Sequence, residues 1–258
     1  MTKTAELAAP RSVMALVLRE MSSTYGNSPG GYVWAVLQPI GMIVVLSFGF
    51  SLLFRTPSLG TSFILFYATG YLPYDMYTQL SQKVGTSIKY SRSMLTYPRV
   101  VWLDAILARF VLNFLTLLTV FSIVITGVLL IVNTPTIISL TPILLGISIA
   151  ALVGLGVGVM NCLLVGLFPV WGIIWKIATR PMFIASGVLF IYEDMGGLVQ
   201  TILWWNPILH VTGLVRSGFY ASYEASYVSL TYCFGLALTL ICFGLLFLQA
   251  NHKQIVNN

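Results

Sequence analysis

The stretch YGNSPGGYVWAVLQPIGMIVVLSFGFSLLF, Tyr25 to Phe54, joins two kinds of chemistry. From Gly31 to Phe54 there is no charge over 24 residues, and about 20 apolar residues suffice for a helix to cross the hydrocarbon of a bilayer. Just before this span, Gly26, Asn27, Ser28, Pro29, Gly30 and Gly31 crowd together. Glycine permits backbone that other residues avoid, and proline stops a preceding helix. The chain is therefore expected to turn sharply as it meets the membrane.

Working outward, residues 12–25 place Met14, Val17, Leu18, Met21 and Tyr25 on one helical face. Ser12, Arg19, Glu20 and Ser23 fall on the other, with Leu16 as an exception. That division suits a helix lying flat in the headgroup region, over residues 11–25; a tail with a chance pattern is the plainer alternative. On the first reading the turn cluster is the corner between a flat helix and a crossing one.

The composition agrees. Of 258 residues 58% are hydrophobic and only 8% are charged, against about 25% charged in soluble domains. Most of the outer surface must face lipid. Five more spans are expected at 62–80, 110–132, 141–168, 170–191 and 228–248. The fold class is thus all-α integral membrane, with six transmembrane helices. Basic residues fix the orientation. With the N-terminus inside, 11 of the 13 Lys and Arg fall on cytoplasmic segments, leaving Arg55 and Arg216 outside. That is the positive-inside bias, and it puts both termini in the cytoplasm.

The net charge of +6 does not indicate nucleic acid, because the basic residues are not gathered on a soluble module. Cys162, Cys233 and Cys242 stand alone in apolar runs and read as packing residues. The N-terminal apolar run VMALVL is short and is followed by Arg19 and Glu20, which argues against a cleavable signal. No phosphate-cradling GxxxxGK[ST], no HExxH and no GxSxG occurs. Of seven acidic residues only Asp75 lies clearly inside a span, which suits neither a proton-coupled carrier nor a hydrolase. Any work done here draws its energy from another subunit.

Several features suit a large amphipathic cargo. Tyr67, Tyr71, Tyr74 and Tyr77 form a stripe at spacings of three and four; sugars stack on such rings, and so do neighbouring helices. Lys176 and Arg180 share one helix face, as anion receivers or as ordinary topology anchors. Gly154 and Gly158 stand in a GxxxG relation that favours close helix packing. The long polar loop at 81–109 carries Lys83, Lys89, Arg92 and Arg99, with no acid before Asp104. Anionic lipid or a docked soluble partner would both explain it. The outer segment Tyr192–Ser226 is rich in interfacial aromatics and is broken by Pro207, giving two short helices over about 195–219.

Four segments in order carry a family resemblance: LREMSSTYGNSPGGYVWAVLQPI at 18–40, GYLPYDMY at 70–77, MLTYPRVVWLDAILAR at 94–109 and WNPILHVTGLVRSGFY at 205–220. Together they cover nearly the whole chain, which resembles the transmembrane subunit of ABC-2-type exporters, polysaccharide branch. The capsular polysaccharide export permease is the nearest likeness, with O-antigen and teichoic acid permeases more distant. Gln38 stands where that family often has glutamate and Gly30 where it often has leucine, so no charge-based role attaches to position 38.

The resemblance implies an inner-membrane homodimer with a channel between subunits, paired with two copies of a cytoplasmic ATPase that holds ATP and Mg. This chain itself would bind no cofactor or metal. The segment 83–99 becomes the coupling loop, with Lys83, Ser87, Lys89, Tyr90, Arg92 and Ser93 as its ATPase-facing residues. The helix at 11–25 becomes a gate at the cytoplasmic entrance, where Arg11, Arg19, Lys176 and Arg180 receive an anionic cargo end. Trp34, Tyr67, Tyr71, Tyr74 and Tyr77 are the expected channel lining. Trp204, Trp205, Asn206, Pro207 and His210 form the expected outer gate. The implied cargo is lipid-linked, acidic polysaccharide, handed to a periplasmic co-polymerase and outer-membrane proteins. The rivals are a drug or small-lipid exporter of the same architecture, and a glycan- or lipid-modifying membrane enzyme using Asp75, Glu193, Asp194 or His210.

Overall fold

The computed structural model describes residues 8–25, 30–95, 101–132 and 138–257, and the side chains of 13–21, 30–95, 101–132 and 138–255. The turn residues 26–29, the side chain of Arg11, and residues 96–100 with Arg99 lie outside the described residues. The helices, in order, are α1 (Ala8–Tyr25), α2 (Gly31–Ser51), α3 (Phe63–Gly85), α4 (Ser87–Tyr90), α5 (Arg92–Leu95), α6 (Trp102–Ile131), α7 (Leu140–Leu167), α8 (Trp171–Ala185), α9 (Gly197–Leu203), α10 (Pro207–Phe219) and α11 (Leu230–Asn257). A short 3-10 turn at Tyr192–Asp194 precedes α9. Among the described residues there is no strand.

Four helices are long and apolar enough to cross a membrane: α2, α6, α7, and α11 as far as Ile255. α3 has the length, at 23 residues, but Asp75, Gln79, Gln82 and Lys83 lower its hydropathy. It runs inside the bundle, where every residue from Leu65 to Tyr77 is buried. Several of the expected limits shift: α3 runs to Gly85 rather than 80 and α11 to Asn257 rather than 248. α6 begins at Trp102 rather than 110 because Asp104 reaches back to accept a hydrogen bond from the Val101 N–H at 3.2 Å. The segment expected at 170–191 is helical only over the 15 residues of α8, about 22 Å. It ends in a turn at Gly187, whose φ of 69° favours glycine.

α7 is the axis of the bundle, with α3 on one side and α11 on another. A Cβ added at Gly154 would lie 3.0 Å from the Leu80 Cβ, and one at Gly158 2.6 Å from the Val84 Cβ. These two glycines let α3 approach backbone to backbone. The larger core cluster runs through Leu65, Phe66, Val153, Val188 and Val215. A smaller one gathers Val84, Ile88, Ile106, Cys162, Leu163 and Leu248 at the end of the bundle we call the foot. Exposed hydroxyls on the long helices bond to their own preceding turn: Thr119 donates to Leu115 O at 2.8 Å and Ser122 to Leu118 O at 2.9 Å. A surface facing lipid requires such internal satisfaction.

α1 packs against α6, and it does so with the side that holds Leu16 and Glu20, both buried. Met14 and Leu18, on the apolar stripe, are 60% and 59% exposed. Among the described residues these two therefore point away from the bundle, and Leu16, the exception to the sequence pattern, faces it together with Glu20.

Candidate functional site

At the foot, the C-terminal ends of α3 and α7, the short α4 and the first half of α8 enclose a cavity of about 550 Å³. Four cationic side chains line it: Lys83, Lys89, Arg109 and Lys176. No Asp or Glu is among the described lining residues. Asn161 accepts a hydrogen bond from the Trp171 indole at 2.9 Å, which sets the corner between α7 and α8. The Asn161 amide nitrogen and the Trp175 indole nitrogen, both from lining residues, are buried and without partners. Arg109 is paired with Glu20, so Lys83, Lys89 and Lys176 give the cavity its positive field, which suits an anionic ligand. A smaller adjoining cavity of about 210 Å³ adds Arg92 and shares Thr86 and Lys89.

The structure thus brings together residues that the sequence reading had assigned to separate tasks. Lys83 and Lys89, expected to face an ATPase, share a cavity with Lys176, expected at the entrance. Arg180 is exposed one turn further along α8 and is not part of the lining. Arg19 is half-buried on α1. In the loop itself Lys89, Tyr90, Arg92 and Ser93 are exposed, whereas Ser87 is fully buried with its hydroxyl 3.6 Å from the Cys162 sulfur. Ser87 thereby packs α4 onto α7 and presents nothing to a docked protein.

The tyrosine stripe is covered. Tyr67, Tyr71, Tyr74 and Tyr77 are between 2% and 8% exposed. Tyr71 and Tyr74 meet Phe183 of α8 edge to face, at 6.4 and 5.4 Å between ring centroids, and Tyr67 packs on Phe50 of α2. Trp34, by contrast, is 62% exposed. Asp75 accepts from Gln79 at 2.7 Å and more weakly from the Tyr71 hydroxyl at 3.4 Å.

At the opposite end, α9 and α10 flank the break at Trp204–Asn206. Asn206 caps α10 by accepting from the Ile208 N–H at 3.0 Å, and its amide donates to Ala185 O and Ser186 Oγ. His210 is wholly buried among Trp204, Tyr227 and Tyr232. Its Nδ1 accepts from the Ser229 N–H at 3.2 Å, so its Nε2 carries the proton and donates to Trp204 O at 2.7 Å. Burial holds this imidazole below its ordinary pKa. Glu193 accepts from the Tyr223 hydroxyl at 3.0 Å. Three of the four acid–base candidates of an enzyme reading therefore have local partners, Asp75 in α3, Glu193 in the 3-10 turn and His210 in α10, and Asp194 lies beside Glu193 in that turn.

Two residues were missed. Arg216 of α10 is 1% exposed and donates to the carbonyls of Gly187, Val188 and Phe190 at 2.6, 3.0 and 3.1 Å, with its guanidinium 4.1 Å above the Phe66 ring. Arg109 is paired with Glu20 at 2.7 Å, both side chains 6% exposed. The available signal was the same in each case, a lone charge inside an apolar run, which demands a buried partner.

Comparison with known proteins fits this arrangement. The ABC-2 type transporter family matches residues 11–220. The polysialic acid transport protein KpsM of Escherichia coli is 24% identical, over 96% of each chain. The capsule polysaccharide export inner-membrane protein CtrC of Neisseria meningitidis serogroup B is 29% identical over 95% of this chain and 92% of its own. BexB of Haemophilus influenzae, of the same description, is 25% identical over 95% and 92%. With the family pattern running from the start of α1 to the end of α10, this chain is a member of the ABC-2 type transporter family.

Proposed function

We propose that the chain is the membrane subunit of an exporter that moves lipid-linked, acidic capsular polysaccharide from the cytoplasm to the periplasm, driven by ATP hydrolysis in a separate ATPase. End-to-end similarity to relatives named for capsule and polysialic acid export carries this reading. The cationic cavity, with no Asp or Glu among its described lining residues, supports it, since a polyanion or its lipid-borne anionic end needs such a mouth.

On this reading the chain crosses the inner membrane six times, through α2, α3, α6, α7, α8 with residues 186–191, and α11. The 11-to-2 split of basic residues supports cytoplasmic termini, which puts the foot inside. Two copies enclose the channel, and the exposed apolar faces of α2 and α8 offer surface to lipid and to the second copy. The exposed residues of α4 and α5 meet the ATPase, which holds ATP and Mg. The stripe of α1 rests in the headgroups. Periplasmic and outer-membrane partners take the polymer onward. Tyr71 and Tyr74 become a track for the glycan only when Phe183 moves with α8. Replacing Tyr74 and Tyr77 with leucine then slows polymer export without loss of assembly; unchanged flux removes the track.

Deleting the gene in its host and staining fixed, permeabilised cells tests the function. The expected result is polymer trapped inside with a bare surface. Normal surface polymer overturns the capsule reading in favour of a drug or small-lipid cargo.

A further inference from the structure

We propose that Arg109 is a positioning residue that links the ATPase-docking segment to the interfacial helix, so that movement of α4 is passed to α1. This rests on the roles given to α4 and α1 above. Arg109 stands on α6 and is 5% exposed. Its Nε donates to Glu20 of α1 at 2.7 Å, across 89 residues of sequence. Its Nη1 donates to the Thr86 hydroxyl, at the joint between α3 and α4, at 3.1 Å. Its guanidinium carbon lies 4.1 Å from the centre of the Tyr90 ring, at the end of α4. One planar group therefore touches α1, the α3–α4 joint and α4.

A stability role explains this poorly. Burying both members of an ion pair costs hydration that offsets much of their attraction, and an apolar contact would hold α1 as well. An apolar contact would not fix direction. The guanidinium donates along two edges while its face stacks on a ring, and a lysine ammonium cannot do both. Of the described α1 side chains only Leu16 and Glu20 are buried, and Arg109 holds one of these two. α4 has four residues and follows α3 with only Thr86 between them, so the Thr86 bond and the Tyr90 stack join Arg109 to both ends of this short segment.

The test uses the purified permease–ATPase complex in vesicles, with Arg109→Lys and Tyr90→Leu. A nitroxide at Met14→Cys, in a Cys242→Ser background because Cys242 is the exposed cysteine, reports on α1. In the parent, adding ATP changes the mobility of the α1 label. In Arg109→Lys that change is lost, and polymer exported per ATP falls about tenfold, within the usual range of coupling between sites. Tyr90→Leu gives a smaller fall and adds nothing in the Arg109→Lys background, because both break one link. Retention of the label response in Arg109→Lys overturns the proposal, as does a parent whose label ignores ATP. If the parent responds but exports no polysaccharide, the cargo assignment fails while the label still decides the linkage.

Discussion

Replacing Arg216 with methionine keeps the length and apolar stem of the side chain and removes its donors. Three carbonyls lose their partners, those of Gly187, Val188 and Phe190. At about 0.6 kcal/mol per hydrogen bond inside a membrane protein, the floor is about 2 kcal/mol. If each buried carbonyl bore a full penalty of up to about 3 kcal/mol, the ceiling would be about 9 kcal/mol. Methionine also returns the cost of dehydrating a guanidinium, which draws the expected loss down to about 3 kcal/mol. Steric trapping of the purified protein in micelles reads that number. Its location is read by maleimide labelling of Val188→Cys, a position with 0% exposure, in a background lacking Cys242. The cysteine should be protected in the parent and labelled in Arg216→Met. A loss below about 1 kcal/mol with Val188→Cys still protected would show that Arg216 does not hold residues 187–190, and the argument would fail.

Gly158→Leu forces apart α3 and α7, because even its Cβ meets Val84 at 2.6 Å, an overpacking cost of at least about 1–3 kcal/mol. Size-exclusion chromatography should show little folded protein, whereas Gly127→Leu, with nothing within 4 Å, should behave as the parent. The combination Lys83→Gln, Lys89→Gln and Lys176→Gln should weaken binding of an anionic glycolipid about tenfold, from three exposed or partly exposed charges at about 0.5 kcal/mol each. Equal weakening for a neutral glycolipid would refute an electrostatic site. The buried His210 has a folded pKa below its ordinary 6.5, so the unfolded chain takes up its proton first as pH falls. Stability is full above about 6.5 and declines below it. Thermal unfolding at about pH 7 and pH 5 should show a smaller drop in His210→Gln than in the parent.

The apolar helices were legible because lipid imposes one simple demand on their sequences, an unbroken uncharged run, and Gly31–Phe54 meets it. α3 was harder. Its hydropathy is diluted by Asp75 and Gln79, and only neighbours that bury those groups make the segment acceptable. The segment expected at 170–191 was misjudged in helical length because the residues just after α8 satisfy carbonyls through side chains of α10, Ser186 through Thr212 and Gly187, Val188 and Phe190 through Arg216. No local pattern announces Arg216 as that donor. The same limit applies to the candidate site. Each lysine was readable as a charge on a helix or loop, but the enclosure of Lys83, Lys89 and Lys176 around one cavity depends on the corner set by Asn161 and Trp171. The face of α1 that touches protein was misread for a related reason: Glu20 looked solvent-facing until Arg109 supplied a buried partner.

The buried, polar character of α3 bears on how the chain is made. A segment leaving the ribosome enters the bilayer according to its own hydropathy, and an aspartate near the middle of a helix opposes that step by about 2.5–3.5 kcal/mol. α2, with no charge along its 21 residues, needs no help. For a six-crossing chain, α3 then enters most readily as the second arm of a hairpin with α2, and it reaches its final surroundings only when α7 arrives, more than fifty residues later. Between those moments Asp75 must wait in the company of the insertion machinery. Quality control in the cell would therefore act on this helix first, so that substitutions around Asp75 and Gln79 lower the amount of protein in the membrane before they alter what the protein does there.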